Sequence, residues 1–349
     1  MPTDAPASVA DLGEFGLIDR LAQTLGPSAN PNLVIGIGDD AAAWLPSPRC
    51  MTVATTDALV AGVHFDLATT SWEDLGWKAL AENISDVAAM GCRPRYALVA
   101  LALPANAPVS GIEAFYRGMR ACGERYGCSV IGGDVVRSGA FVIQVTLLGE
   151  SLPMDAGPDR LLLERSRARD GDAIAVTGPL GGSTGGLRLL LGQATASEAR
   201  VAEELMNAHR RPMPRVQEGL ALVEAGVRCA MDVSDGLLAD VGHICERSGV
   251  DADLDASRVP LYHGLEAVFG QEALRLALTG GEDYELVCAA PPETIARAGE
   301  LLAERGLGPL SVIGSIVPRT GVEPRVRAFQ SSGVPLDVTV GGWDHFHGG

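Results

Sequence analysis

The chain has 349 residues, with 27 basic against 44 acidic side chains and a formal net charge of −17. That balance excludes nucleic-acid partners, which are gripped by a Lys/Arg excess, and attraction to an anionic membrane surface. Hydrophobic residues make up 47% and charged ones 20%, a globular rather than a disordered composition, and the length predicts about two domains.

Lys78 is the only lysine. No G-x-x-x-x-G-K-[ST] phosphate loop is therefore present, and Lys78 is read as a solvated or interdomain residue outside any site. Cysteines 50, 92, 122, 128, 229, 245 and 288 form no C-x-x-C pair. They read as reduced, buried thiols of a cytoplasmic protein. The stretch Met1 to Leu12 lacks the basic and apolar regions of a signal peptide. The uncharged run Tyr96 to Ile112 is interrupted by Pro104, Asn106 and Pro108 and does not read as a membrane span.

In chain order, LVIGIG (33–38) and MTVAT (51–55) predict strands. The run 72–90 predicts a helix, because Leu75, Ala79, Ile84, Val87 and Ala88 recur on one face. YALVALAL (96–103) is a strand closed by Pro104, 112–126 a helix, 129–131 a short strand running into Gly132-Gly133-Asp134, and 141–149 a strand. Composition changes over 150–170, which places a domain boundary at 150/151: an N-terminal domain over 1–150 and a C-terminal domain over 151–349. The second half predicts strands at 173–177, 229–231, 285–289, 311–317 and 326–328. Its helices are predicted at 187–191, 198–208, 215–225, 236–248, 266–277 and 292–305. The class is mixed α/β.

The acids cluster where these elements end. Asp39 and Asp40 follow LVIGIG, Asp57 follows the MTVATT strand, Asp134 follows VIGG, and Asp232 follows CAM with Asp235 three residues on. Asp86 lies one turn after Glu82 in the 72–90 helix. Any one of them has an ordinary explanation, since Asp before a helix is a good N-cap and Gly–Asp marks a turn. As a set, bare anions near one another would repel, and hard divalent cations remove that conflict. Mg²⁺ takes oxygen ligands, a few carboxylates with water and substrate phosphates. The loop 177–186 (TGPLGGSTGG) could turn backbone N–H groups toward an anion at a helix N-terminus, or simply be a tight turn. It lacks the G-x-G-x-x-G spacing of a dinucleotide site.

GIGDDAA (36–42), TTDALVAGVHF (55–65), NISDVAAMG (83–91), IGGDVVR (131–137), VTGPLG (176–181), MDVSDGL (231–237), TGGEDYEL (279–286) and GGWDHF (341–346) occur in that order. This ordered set resembles the thiamine-monophosphate kinase family, within the superfamily of aminoimidazole ribonucleotide synthetase. The resemblance implies a two-domain fold: an N-terminal domain whose sheet drives dimerisation and a C-terminal α/β domain. It implies transfer of the γ-phosphoryl of ATP to thiamine monophosphate, the last step of thiamine diphosphate synthesis, in a homodimer using several Mg²⁺ ions and no covalent nucleophile.

By position, it implies Asp40, Thr55, Thr56, Asp57, Asp86, Asp134, Asp232 and Asp235 as metal ligands, with Asp39 ranked below Asp40. It implies Tyr116, Gly133, Asp134, Arg165 and Ser234 at the nucleotide, and His64, Glu282 and Trp343 at the thiamine phosphate and the thiamine rings. Arg165 sits in LLERS, which matches the family's LTRSG in part, and ERSRARD also reads as a solvated charge run. A synthetase of purine biosynthesis and a catalytically silent nucleotide-binding module are the competing readings. TGGEDYEL and the Trp-Asp-His-Phe tail weigh against the first, and the filled carboxylate positions against the second.

Overall fold

A computed structural model describes residues 8–154 and 162–336. Two compact units divide the chain, one from Met1–Val87 and Arg93–Gly157, the other from Ala88–Cys92 and Pro158–Gly349.

The first unit begins with helices α1 (Val9–Leu12) and α2 (Glu14–Leu25) and a two-stranded ribbon of β1 (Leu33–Ile35) and β2 (Ala43–Trp44). Strand β3 (Thr52–Val60), helix α3 (Trp72–Ala89), strand β4 (Arg93–Leu103), helix α4 (Val109–Tyr126) and strands β5 (Ser129–Arg137) and β6 (Val142–Glu150) follow. The four long strands form one sheet in the order β3-β6-β4-β5. Alternation along them separates two faces. Val99, Leu101, Ile143, Val145 and Leu147 are buried on one. Thr56, Ala58, Gln144 and Ala100 are exposed on the other, with Leu98 at 37% and Val136 at 50% exposure.

Helices α3 and α4 approach each other very closely. A Cβ on Gly76 would lie 1.8 Å from the Phe115 carbonyl oxygen, and one on Gly118 would lie 1.8 Å from that of Glu73. Only glycine permits that contact. Ser71 starts α3, its hydroxyl accepting the Asp74 N–H at 3.1 Å and donating to the Asp74 carboxylate at 2.8 Å. Gly127, left-handed at φ 75°, ends α4.

The second unit comprises β7 (Ala173–Val176), α5 (Gly182–Leu190), α6 (Ala199–Arg210), α7 (Val216–Ala225), β8 (Cys229–Asp232), α8 (Leu237–Ser248) and β9 (Asp251–Asp255). It continues through α9 (Leu265–Phe269), α10 (Ala273–Thr279), β10 (Leu286–Ala290), α11 (Pro292–Glu304), β11 (Ser311–Val317) and β12 (Val326–Phe329). Its sheet has the order β12-β9-β11-β7-β10-β8, antiparallel except for the β12–β9 pair. The strands β7, β8 and β10 are buried along their whole length. Ile174, Val176, Met231, Leu237, Val241, Ile244, Val287 and Ile313 belong to one core cluster.

Several expectations change. β3 and β5 run on through Asp57 and Asp134, so these acids lie within strands rather than after them. The ladder to β6, continuous from Thr52–Glu150 to Val60–Val142, carries β3 past the TTD motif. LVIGIG is a strand only to Ile35. The helix expected over 266–277 is broken at Gly270, whose φ is 54°. β9 was not expected at all. Lys78 is 2% exposed, so it is a core residue and not a solvated one. All seven cysteines are free, six of them buried and Cys50 half-buried. No helix among the described residues is long and apolar enough to cross a membrane.

Candidate active site

In the first unit, strand alternation puts Thr55 and Asp57 on the same side of β3. Both are half-buried. Asp86, from the last turns of α3, accepts a 2.5 Å hydrogen bond from the Thr55 hydroxyl. Burial, and then the charge of Asp86, push the Asp57 carboxyl up to about 6. Two carboxylates and a hydroxyl, one of the acids destabilised as an anion, make an all-oxygen donor set that fits a hard divalent cation.

The other metal candidates of this unit are placed differently. Thr56 points to the opposite face, where its hydroxyl donates to the Val145 carbonyl at 3.0 Å and lies 3.1 Å from Thr146 Oγ1. Its side chain therefore does not join Asp57. The register pairs Asp57 with Val145, in line with Val99 and Gly133, whereas Asp134 pairs with Ala100, in line with Gln144 and Ala58. Asp57 and Asp134 thus occupy alternate rows of the sheet, and Asp134 is exposed. Asp39 and Asp40 lie in the exposed loop after β1, the Asp39 carboxylate accepting the Asp40 N–H at 2.9 Å.

His64 sits in the turn after β3. Its Nδ1 accepts the Val60 N–H at 3.1 Å, which leaves the proton of a neutral ring on Nε2. Tyr116 is 5% exposed on the buried side of α4, beside Phe115 with ring centroids 5.5 Å apart. Burial raises its phenol pKa. The Tyr116 ring is a core residue of the unit.

In the second unit, β8 ends on the buried Asp232 and turns through Val233, Ser234, Asp235 and Gly236 into α8. The organiser of that turn is Asp240, in the first turn of α8 and fully buried at 0% exposure. One of its oxygens, Oδ2, accepts the N–H groups of Ser234 at 3.0 Å, Asp235 at 3.2 Å and Gly236 at 3.0 Å. The other, Oδ1, has no hydrogen-bond partner among the described residues. Burial, then the charges of Asp232 and Asp235, push its carboxyl up to about 8. Ligand atoms of Asp235, Asp240 and His243 lie within 4.8 Å of one another. The two carboxylates suit a hard divalent cation, whereas the His243 nitrogen suits a softer one. Arg165 is exposed, and its carbonyl accepts the Ser248 hydroxyl at 2.9 Å.

The segment TGGEDYEL connects α10 to β10. Glu282 (φ 63°) and Tyr284 (φ 52°) are both left-handed. Each costs roughly 1–2 kcal/mol for a residue with a Cβ. Between them, Asp283 accepts the Gly181 N–H at 2.6 Å through Oδ2 and the Ser183 N–H at 3.0 Å through Oδ1. Those N–H groups open α5, so Asp283 itself is the anion that the glycine-rich loop binds. Burial, outweighing the two donors, pushes the Asp283 carboxyl up to about 7.

His209 Nδ1 lies 3.0 Å from Ser183 Oγ and 3.3 Å from Glu282 Oε2. Deeper, the Arg215 guanidinium grips the buried Glu285 through Nε at 2.7 Å and an NH₂ group at 2.5 Å, and the Thr177 hydroxyl adds 2.8 Å. Glu282 itself is half-buried at the mouth of this network. Trp343 and the tail 340–346 lie outside the described residues. Sequence reasoning missed Asp240, Asp283, His209 and Arg215. The local signal for Asp240 was an acid four residues into a helix opened by Gly236, whereas Asp283 stood in the quoted TGGEDYEL.

Residues 38–151 match the family described as AIR synthase related protein, N-terminal domain, and 169–327 match its C-terminal domain. A thiamine-monophosphate kinase of Aquifex aeolicus is 38% identical over 288 residues, 81% of this chain and 87% of that protein. The chain belongs to the thiamine-monophosphate kinase family. The crystal structure of the family member from Stenotrophomonas maltophilia K279a is 40% identical, with a TM-score of 0.78, and covers 93% of this chain and 98% of its own. A second solved structure, described as AaThiL complexed with AMPPCP and TMP, is 34% identical with a TM-score of 0.72. It covers 99% of this chain and 100% of its own. The two-domain α/β fold expected from the motifs is the fold of this family.

Proposed function

We propose that the chain transfers the γ-phosphoryl group of ATP to the phosphate of thiamine monophosphate, giving thiamine diphosphate and ADP. One observation carries the reading: likeness along essentially the whole chain to a family member described in complex with AMPPCP and TMP. The chemistry suits the residues. Phosphoryl transfer demands positioning and charge neutralisation rather than a protein nucleophile. Bound Mg²⁺ supplies that neutralisation at the phosphate oxygens, with Asp57, Asp86 and Thr55 in the first unit and Asp232 and Asp235 in the second as its holders. Asp40, Asp134 and Thr56 are secondary candidates, Thr56 through its backbone.

On this reading the first unit, about 1–150, and the second, about 151–349, each carry one set of acids. His64 donates from Nε2 to the substrate phosphate. Gly133, Ser234 and Arg165 serve the nucleotide, and Arg165 reaches phosphate with its planar fork. Glu282 faces the thiamine cation and Trp343 its flat ring. A homodimer formed on the open face of the β3-β6-β4-β5 sheet belongs to the same reading, supported by the apolar exposure of Leu98 and Val136. So does a cytoplasmic location, supported by the free thiols. The acidic balance supports the absence of nucleic-acid partners.

The test is direct. The protein is incubated with ATP, Mg²⁺ and thiamine monophosphate, and products are separated chromatographically. Thiamine diphosphate and ADP in equal amounts are expected. ADP formed only with a ribonucleotide precursor of purines, and never with thiamine monophosphate, overturns the assignment.

A further inference from the structure

We propose that Asp283 is a positioning residue for Glu282: by filling the N-terminus of α5 it holds the turn that presents the Glu282 carboxylate to the thiamine cation. The inference rests on the reading of Glu282 as a substrate contact.

Three sets of bonds meet in this turn. Asp283 ties it to α5 through the N–H groups of Gly181 and Ser183. The Glu282 N–H donates to the Ser234 carbonyl at 2.8 Å and the Tyr284 N–H to that of Val233 at 2.9 Å, which ties it to the turn after β8. His209 Nδ1 lies against both the Glu282 carboxylate and the Ser183 hydroxyl. There is no room to slide: a Cβ on Gly281 would lie 2.4 Å from the Ser234 carbonyl oxygen.

Two left-handed residues that are not glycine persist only where surrounding bonds over-determine them. Asp283, the residue between them, bonds across to α5 with both of its carboxylate oxygens. Its release frees Glu282 to return to right-handed or extended backbone. That rotation carries the Glu282 carboxylate away from its place beside His209. The α5 N-terminus already holds the Asp283 carboxylate, so the Gly181 and Ser183 amides are engaged in positioning and not in holding a phosphate.

The experiment compares Asp283→Asn, Glu282→Gln and the double variant in the full-length enzyme. An amide keeps one acceptor oxygen and sets its NH₂ against a backbone N–H, donor against donor. The expected result for Asp283→Asn is a KM for thiamine monophosphate about tenfold higher, with kcat and the KM for ATP within about twofold of wild type. The double variant should be no worse than Glu282→Gln alone, because both remove the same contact. An unchanged KM for thiamine monophosphate in Asp283→Asn, beside an impaired Glu282→Gln, overturns the proposal and leaves the function standing. Losses that multiply in the double variant, or a KM for ATP that rises equally, also overturn it. A wild type that forms no thiamine diphosphate, or a Glu282→Gln variant that behaves as wild type, defeats the functional reading and the proposal with it. Should Asp283→Asn fail to fold, Asp283→Glu keeps the charge but misplaces it by one methylene, with the same outcomes expected.

Discussion

Asp57 is held at a pKa of about 6, above the ordinary 3.8, by burial and by the charge of Asp86. Between those two values the folded, cation-free chain keeps a proton that the unfolded chain has lost. The folded state binds more protons there, so its stability falls as pH rises through that window. On the proposed reading a divalent cation takes the place of that proton. Its stabilising effect should therefore grow across the same range. The expected outcome is a small rise in Tm on adding Mg²⁺ near pH 5 and a larger one near pH 7.5, with the pH dependence weakened in Asp57→Asn. Melting curves with and without the cation measure it. The same substitution should lower turnover of thiamine monophosphate by about two orders of magnitude, the scale of losing one preorganised electrostatic contact. Circular dichroism should remain that of wild type. Near-normal turnover would remove Asp57 from the ligand set. Asp240 shows the complementary case. No motif comparison singled it out, yet its single Oδ2 gathers three consecutive N–H groups and so shapes the turn on which Ser234 and Asp235 stand.

Among the elements, helices were the most legible. The apolar recurrence at Leu75, Ala79, Ile84 and Val87 foretold α3. Strands were less so, because their lengths are decided by partners. β3 and β5 extend as far as β6 and β4 offer hydrogen bonds, and no local pattern in TTDALV announces that. β9, DADLD, has the period-two alternation of a strand, but three acids in five residues disfavour one by propensity. Its acids are satisfied elsewhere: Asp251 takes the N–H groups of Thr320 and Arg325 at 3.0 and 2.9 Å, and Asp253 pairs with Arg327 at 2.6 Å. The site shows the same division. Residues inside short motifs could be singled out from sequence, though Asp283 was passed over within one, whereas His209 and Arg215 act through partners tens of residues away that leave no spacing to read.

One element-scale consequence is testable. Gly118→Ala pushes a methyl into the Glu73 carbonyl and should cost about 1–3 kcal/mol. That lowers Tm by about 2–4 °C per kcal/mol in a unit of this size. Gly139→Ala, with nothing within 4 Å of its would-be Cβ, serves as the control and should leave Tm unchanged.

At the scale of the whole molecule, the acidic total of −17 acquires a specific content. Several of those charges stand in two groups of acids, and on the proposed reading bound cations rather than the formal count set the field there. The open sheet face makes a second prediction. Leu98→Arg, on that face with Ala54, Ala58 and Ala100, should convert the proposed homodimer to monomers in light scattering. The same change at the exposed Leu191 of the second unit should leave the assembly intact. Equal masses for both variants would locate the contact elsewhere.

The lone lysine has a practical consequence of its own. An amine-reactive reagent meets no exposed lysine side chain on this protein, because Lys78 lies 2% exposed inside α3. Acylation at Lys78 can proceed only when that helix parts from its neighbours. The rate of Lys78 modification, followed by mass spectrometry, thus becomes a clock for opening of the first unit, built into the chain without an added label.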